Sequence, residues 1–144
     1  MIVRSILVVC IGNICRSPVG GRFLESLVPS VNITSAGLYA LVGFPADSQT
    51  SVAASRRGIS LAGHVARQFT SKMGASCDLI LVMEASHRRI IDDLAPSLTG
   101  RTMLFDNWTG GKGIADPYNQ PDIQHLTAVD QISKAALAWS ERLT

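Results

Sequence analysis

Apolar residues collect along this chain in two kinds of run. Residues 2–9 and 79–83 (LILVM) are blocks rich in Ile, Val and Leu, the pattern of strands covered on both faces rather than the alternation of a half-exposed strand. Shorter segments at 31–35 and 101–105 read as two further strands. Helical spacing appears between them at about 18–28, 48–58 and 84–94, and the final stretch sets Ile123, Leu126, Val129, Ile132, Ala136, Trp139 and Leu143 on one stripe. Strand and helix therefore alternate. The pattern predicts an α/β fold of three layers, with a four-stranded parallel sheet, helices on both faces and right-handed crossovers. Ligands of such sheets sit beyond the carboxyl ends of the strands, and strand one runs straight into VVCIGNICRSP, residues 8 to 18.

Composition narrows the class. A chain of 144 residues, 47% hydrophobic and 17% charged, fits one domain over 1–144 with a core of its own. Its 13 basic and 11 acidic side chains leave a net charge of +2, too even a balance for the strong field of a nucleic-acid binder, so no nucleic-acid partner is expected. No apolar stretch approaches the roughly 20 residues that span a bilayer, and the N-terminal run ends in polar IGNICRS rather than a cleavage site, so no membrane insertion is expected. Three cysteines make no secreted disulfide framework, and a reducing cytoplasm is the expected location. The Gly- and Pro-rich pieces at 37–47 and 107–121 are short enough to be loops.

The chemistry lies after strand one. Ser17 is a good N-cap and Pro18 suits a first helical turn, so a helix is expected to open at the end of the loop and turn its unpaired N–H groups and dipole toward an anion. Ile11, Gly12, Asn13, Ile14, Cys15, Arg16 and Ser17 then form a phosphate loop between strand 1 and helix 1. A cysteine ending a buried strand is ordinarily a small core residue; Arg16-Ser17-Pro18 at this spacing changes the reading. Cys10 among such donors is pulled toward thiolate and becomes a nucleophile, while Arg16 offers a planar fork to two phosphoryl oxygens. Gly12 allows close approach or positive φ, Asn13 tolerates a left-handed backbone or braces the loop, and Ser17 is placed to donate to Cys10. The loop lacks the Gly-Lys-Ser/Thr ending of a nucleotide-binding P-loop.

Expelling an alkoxide or phenolate needs a positioned acid. Asp116 is the candidate, held out of helical geometry by Pro117 in GGKGIADPYNQ, and it can later serve as base toward the hydrolytic water. Ile11, Leu38, Tyr39, Leu41 and Tyr118 are expected to wall a slot deep enough to favour phosphotyrosine over phosphoserine. No metal or other cofactor is expected, since Cys77 and the three histidines are scattered.

VCIGNICRSP resembles the signature of the low-molecular-weight protein tyrosine phosphatases, and the likeness extends to SAGL at 35–38, GHVARQ at 63–68, DLILVME at 78–84 and DPY at 116–118. It is most similar to the bacterial branch that acts on tyrosine autokinases of capsule and exopolysaccharide export. The resemblance implies Cys10 as nucleophile, Arg16 as phosphate ligand, Asn13 and Ser17 as organisers and Asp116 as general acid. It also implies a tyrosine-phosphorylated protein as partner, a supporting pair of His64 with Glu84, and a reversible Cys10–Cys15 disulfide under peroxide. A monomer is expected. Two rival readings compete with this one. A thioredoxin-coupled arsenate reductase shares such a loop but relays a disulfide through two further cysteines, where only Cys77 follows Cys15. A non-catalytic phosphotyrosine-binding module would have no use for both Cys10 and Asp116.

Overall fold

The computed structural model describes residues 2–143. Strand β1 (Ser5–Cys10) leads into helix α1 (Arg16–Leu27), strand β2 (Asn32–Gly37), helix α2 (Ser48–Arg56), the five-residue helix α3 (Ser71–Ala75), strand β3 (Leu79–Val82), helix α4 (Ala85–Leu94), a 3-10 turn (Pro96–Arg101), strand β4 (Thr102–Leu104) and helix α5 (Asp122–Leu143). All strand pairings are parallel, in the order β2-β1-β3-β4.

Both faces of β1 are covered, which is why its sequence does not alternate in polarity. Ile6, Val8 and Cys10 face α1, α2 and α5, packing with Val19, Leu24, Ala54, Val129, Ile132 and Trp139. Leu7 and Val9 face the other way, toward Phe69, Ile91 and Leu98. Cys10 is thus the last residue of a fully enclosed strand, on the face that carries α1.

Several boundaries differ from those read off the pattern. The ladder of β1 starts at Ser5 rather than residue 2, because the Asp78 carboxylate accepts from the amides of Arg4 (2.8 Å) and Ser5 (3.2 Å). Helix α1 starts at Arg16, two residues early. Helix α3 and the 3-10 turn are too short to leave a periodic signal. On α5 the buried stripe holds Val129, Ile132, Ala136 and Trp139, but Ile123 is 66% exposed. His125 is buried instead, with Nδ1 2.8 Å from Thr50 Oγ1.

Candidate active site

The loop from Cys10 to Arg16 is turned outside-in by donors around it. The carbonyl of Cys10 accepts from Leu38 N (2.9 Å), that of Ile11 from Tyr39 N (3.0 Å) and that of Gly12 from Leu41 N (3.1 Å). The Asn13 carbonyl accepts from His64 Nε2 (2.6 Å), and the Ile14 carbonyl from Asp47 N (2.9 Å). Five successive carbonyls therefore point away from the loop's centre. Among the described residues the amides of 12–15 have no protein acceptor, and the first turn of α1 adds its own unpaired N–H groups. The result is a ring of donors suited to one tetrahedral anion.

Two backbone features make this ring possible. Gly37, the last residue of β2, lies so close beneath it that an added Cβ would stand 2.4 Å from the Ile11 carbonyl oxygen and 3.0 Å from Asn13 N. Asn13 has φ 57°, the left-handed conformation that asparagine tolerates better than most side chains. Gly12, a candidate for that conformation, does not adopt it. The amide of Asn13 secures the twist: Nδ2 donates to Ser17 Oγ (2.7 Å) and Ser35 Oγ (3.0 Å), and Oδ1 accepts from Arg67 N (2.9 Å).

Ser17 is not the N-cap expected of it. The cap position is Cys15, with no side-chain cap bond, and Ser17 lies inside the first turn, fully buried. Its hydroxyl is spent on the site, 3.0 Å from Cys10 Sγ.

Arg16 is 2% exposed and gripped on one side. Nη1 donates to Glu84 Oε2 (2.5 Å) and to the Ile114 carbonyl (2.7 Å), while Nε has no partner and Nη2 stands 3.7 Å from Asp116 Oδ2. An edge of the guanidinium is left for an anion in the ring. Glu84 does not pair with His64. His64 is engaged with the Asn13 carbonyl, and the histidine beside Glu84 is His87, Nε2 to Oε2 3.5 Å. Burial pushes the His87 imidazole down to about 4, with the Arg16 guanidinium adding to the effect. Burial likewise lowers His64, against the raising effect of its bond to Asn13. His87 is therefore neutral at ordinary pH and adds no second positive charge beside Arg16.

A cleft of about 200 Å³ opens over the ring, with Cys10 at its base and Ile11, Tyr39, Leu41, Tyr118 and Asp116 around it. Four of the five expected wall residues are present. Leu38 is not among them: it is 3% exposed and packs in the core with Leu7, Val9 and Phe69, at the turn that follows β2. Tyr39 is 69% and Tyr118 42% exposed, so both stand at the mouth. Cys15 is packed with Ile14 and Ala66, and burial pushes its thiol up to about 12 despite a hydrogen bond with Thr50. Cys77 lies away from the cleft, packed against the Leu7 side of the core.

The chemistry of the arrangement is that of a sulfur nucleophile beneath a tetrahedral anion, one guanidinium on the anion's flank and one carboxyl group at the rim. Sequence reading missed the grip on Arg16. Glu84 stands at the end of the apolar LILVM block, where a strand end in such a sheet faces the ligand, so its position carried a signal. The Ile114 carbonyl, being backbone, carried none.

Comparisons with known proteins agree with this geometry. The family model described as low molecular weight phosphotyrosine protein phosphatase matches residues 5–144. The chain is similar to the crystal structure of the tyrosine phosphatase AmsI of Erwinia amylovora, with TM-score 0.97 and 45% identity over 99% of this chain and 95% of that one. It is equally similar in shape to the tyrosine phosphatase Wzb of Escherichia coli K30 in complex with sulphate, with TM-score 0.97 and 43% identity over 99% and 100% of the two chains. Among curated sequences, the low molecular weight protein-tyrosine-phosphatase Etp of Escherichia coli K12 is 42% identical, covering 98% of this chain and 95% of its own.

Proposed function

The chain belongs to the low molecular weight phosphotyrosine protein phosphatase family and is a protein-tyrosine-phosphatase, and on that premise we propose how its own residues divide the work. Cys10 attacks phosphorus as the thiolate, with the bound phosphoryl group held in the amide ring and on the open edge of Arg16. The bond to the tyrosine oxygen breaks as Asp116 hands it a proton, giving free tyrosine hydroxyl and phosphocysteine. Asp116 then takes a proton from water, whose oxygen attacks phosphorus and releases phosphate and the Cys10 thiolate. Ser17 Oγ, 3.0 Å from Cys10 Sγ, stabilises that thiolate both as nucleophile and as leaving group.

The observation that carries this reading is the placement of Cys10, Arg16 and Asp116 around one cleft, although Asp116 comes from the far end of the chain. Ile11, Tyr39, Leu41 and Tyr118 form the walls that flank an aryl ring, and Asn13, Ser17, His64 and Glu84 support the loop and the guanidinium. No cofactor takes part. The proposed substrate is a tyrosine-phosphorylated protein, a bacterial tyrosine autokinase of exopolysaccharide export, met in the cytoplasm by a monomer that is a single domain over 1–144. No helix among the described residues is long and apolar enough to cross a membrane.

The test uses p-nitrophenyl phosphate and a phosphotyrosine peptide. Cys10→Ser is expected to abolish turnover while still binding phosphate, and to retain a tyrosine-phosphorylated autokinase from lysate that phosphate then elutes. Turnover by Cys10→Ser overturns the covalent mechanism. Retention of phosphoserine proteins in place of phosphotyrosine proteins overturns the substrate.

A further inference from the structure

Asp106 takes no part in the cleft, yet it is one of the few charged side chains the fold encloses, at 5% exposure. It follows β4 on a rigid base. The Phe105 amide donates to the Val82 carbonyl (2.7 Å), and the Phe105 carbonyl accepts from Trp139 Nε1 of α5 (2.7 Å). From this base the chain makes a glycine-rich excursion through residues 107–113 and returns. The Asp106 carbonyl accepts from Thr109 N (3.0 Å) and Gly111 N (3.0 Å), and its carboxylate closes the excursion, Oδ2 accepting from Gly113 N (2.9 Å).

The catalytic flank begins at Gly113. This glycine has φ 89° and lies against the Met83 carbonyl and Glu84, where an added Cβ would stand 3.4 Å from the former and 3.6 Å from Cγ of the latter. Ile114 N donates to Met83 O (2.9 Å), and Ile114 O accepts from Arg16 Nη1 (2.7 Å). Two residues later comes Asp116, 3.7 Å from Arg16 Nη2. The Asp106 carboxylate and the Met83 carbonyl, on successive amides, thus fix where the returning segment meets both the guanidinium and the general acid. Its other oxygen, Oδ1, is buried without a partner, in the wall of a cavity shared with Lys112 and Lys134. A carboxylate that leaves one oxygen unsatisfied is a poor choice for stability alone.

We propose that Asp106 is a positioning residue of this phosphatase, whose bond to Gly113 N sets the Ile114 carbonyl against Arg16 and seats Asp116 over the leaving group. The proposal rests on the roles given above to Arg16 and Asp116. Without the carboxylate the segment 113–116 loses one of its two anchors and keeps only the Ile114–Met83 bond, and proton delivery to the leaving oxygen suffers before phosphate binding does.

The test compares kcat for aryl phosphates with good and poor leaving groups in wild type, Asp106→Ala, Asp106→Leu, Asp106→Asn and Asp116→Ala. In Asp106→Ala and Asp106→Leu, kcat is expected to fall about tenfold or more for poor leaving groups and about threefold or less for good ones, as misplacement of a general acid requires. Asp106→Asn keeps an oxygen for Gly113 N and is expected to stay within about threefold of wild type throughout. Combined with Asp116→Ala, Asp106→Ala is expected to add little for poor leaving groups. Equal losses across leaving groups in Asp106→Ala, beside unequal ones in Asp116→Ala, overturn the proposal and leave the acid assignment standing. Equal losses in Asp116→Ala remove the acid and this proposal with it. Asp106→Asn as impaired as Asp106→Ala overturns it, as does failure of both apolar variants to melt cooperatively while Asp106→Asn melts normally, which makes Asp106 a residue of stability alone.

Discussion

Arg16 Nη1 and Glu84 Oε2 lie 2.5 Å apart, and the same nitrogen also donates to the Ile114 carbonyl. The guanidinium is held from behind by a strand end and by the acid-bearing segment, so its rotamer is set before substrate arrives. Preorganisation of this kind lowers the cost of binding.

Glu84→Ala is therefore expected to weaken phosphate as a competitive inhibitor by about 5- to 30-fold, the equivalent of about 1–2 kcal/mol for one lost charge-assisted bond. Glu84→Gln, which still offers an oxygen, should lose less. Inhibition constants for phosphate measure both, and equal values for the two variants and wild type would refute the grip.

Asn13 supports the twist of the loop with three bonds, to Ser17, Ser35 and Arg67 N. Asn13→Ala is expected to lower stability by about 2–3 kcal/mol and kcat by at least tenfold, since it removes these bonds and leaves alanine at φ 57°. Asn13→Gly keeps the backbone content and should recover part of the stability but little of the rate. Thermal melting and steady-state kinetics separate the two effects.

The two loop cysteines should react unequally. Burial holds the Cys15 thiol at about 12, so it stays protonated through the neutral range. Iodoacetamide at neutral pH is expected to alkylate Cys10 roughly tenfold faster or more, and phosphate in the ring should protect it. Peroxide should convert Cys10 to the sulfenic acid, after which the Cys15 thiol condenses with it, forming the disulfide and releasing water. Peptide mass spectrometry reads both outcomes; sulfinic acid at Cys10 with no Cys10–Cys15 linkage would exclude the second.

His87 makes stability depend on pH. Burial holds its folded value at about 4, below the ordinary 6.5, with Arg16 also opposing the proton and Glu84 and Asp116 favouring it. Above 6.5 the imidazole is neutral in both states and adds no pH dependence; between 6.5 and 4 only the unfolded chain takes up the proton, so stability falls with falling pH, by up to about 3 kcal/mol. The melting temperature of wild type should drop over this window, and His87→Leu should flatten that part of the decline. A profile unchanged by the substitution would contradict the shift.

The parts of this molecule legible in its sequence are those where neighbours along the chain are neighbours in space. Strand β1, the loop and α1 form one contiguous run, so Cys10, Asn13, Arg16 and Ser17 could be read as one group, although Ser17 is not the N-cap expected of it. Relations across the fold were harder. The pairing of His64 with Glu84 implied by the resemblance does not form, because tertiary packing places His87 beside Glu84 and sends His64 to Asn13. Leu38 and Tyr39 are both apolar enough for a wall, and only the turn after β2 sends the first to the core. Asp106 looks like any acidic loop residue in the sequence, and only the fold closes its carboxylate on Gly113 seven positions later.

The ring of amides is clamped from outside at five successive carbonyls, and the two tyrosines of the cleft mouth share backbone with the machinery: Tyr39 N donates to the Ile11 carbonyl and Tyr118 N to Asp116 Oδ1, while their side chains stand outward. At these two positions choice of target lies in the side chain and reactivity in the backbone amide. Evolution, or an engineer, can exchange these two side chains to recruit a new phosphoprotein, but a change that moves either backbone alters every target at once.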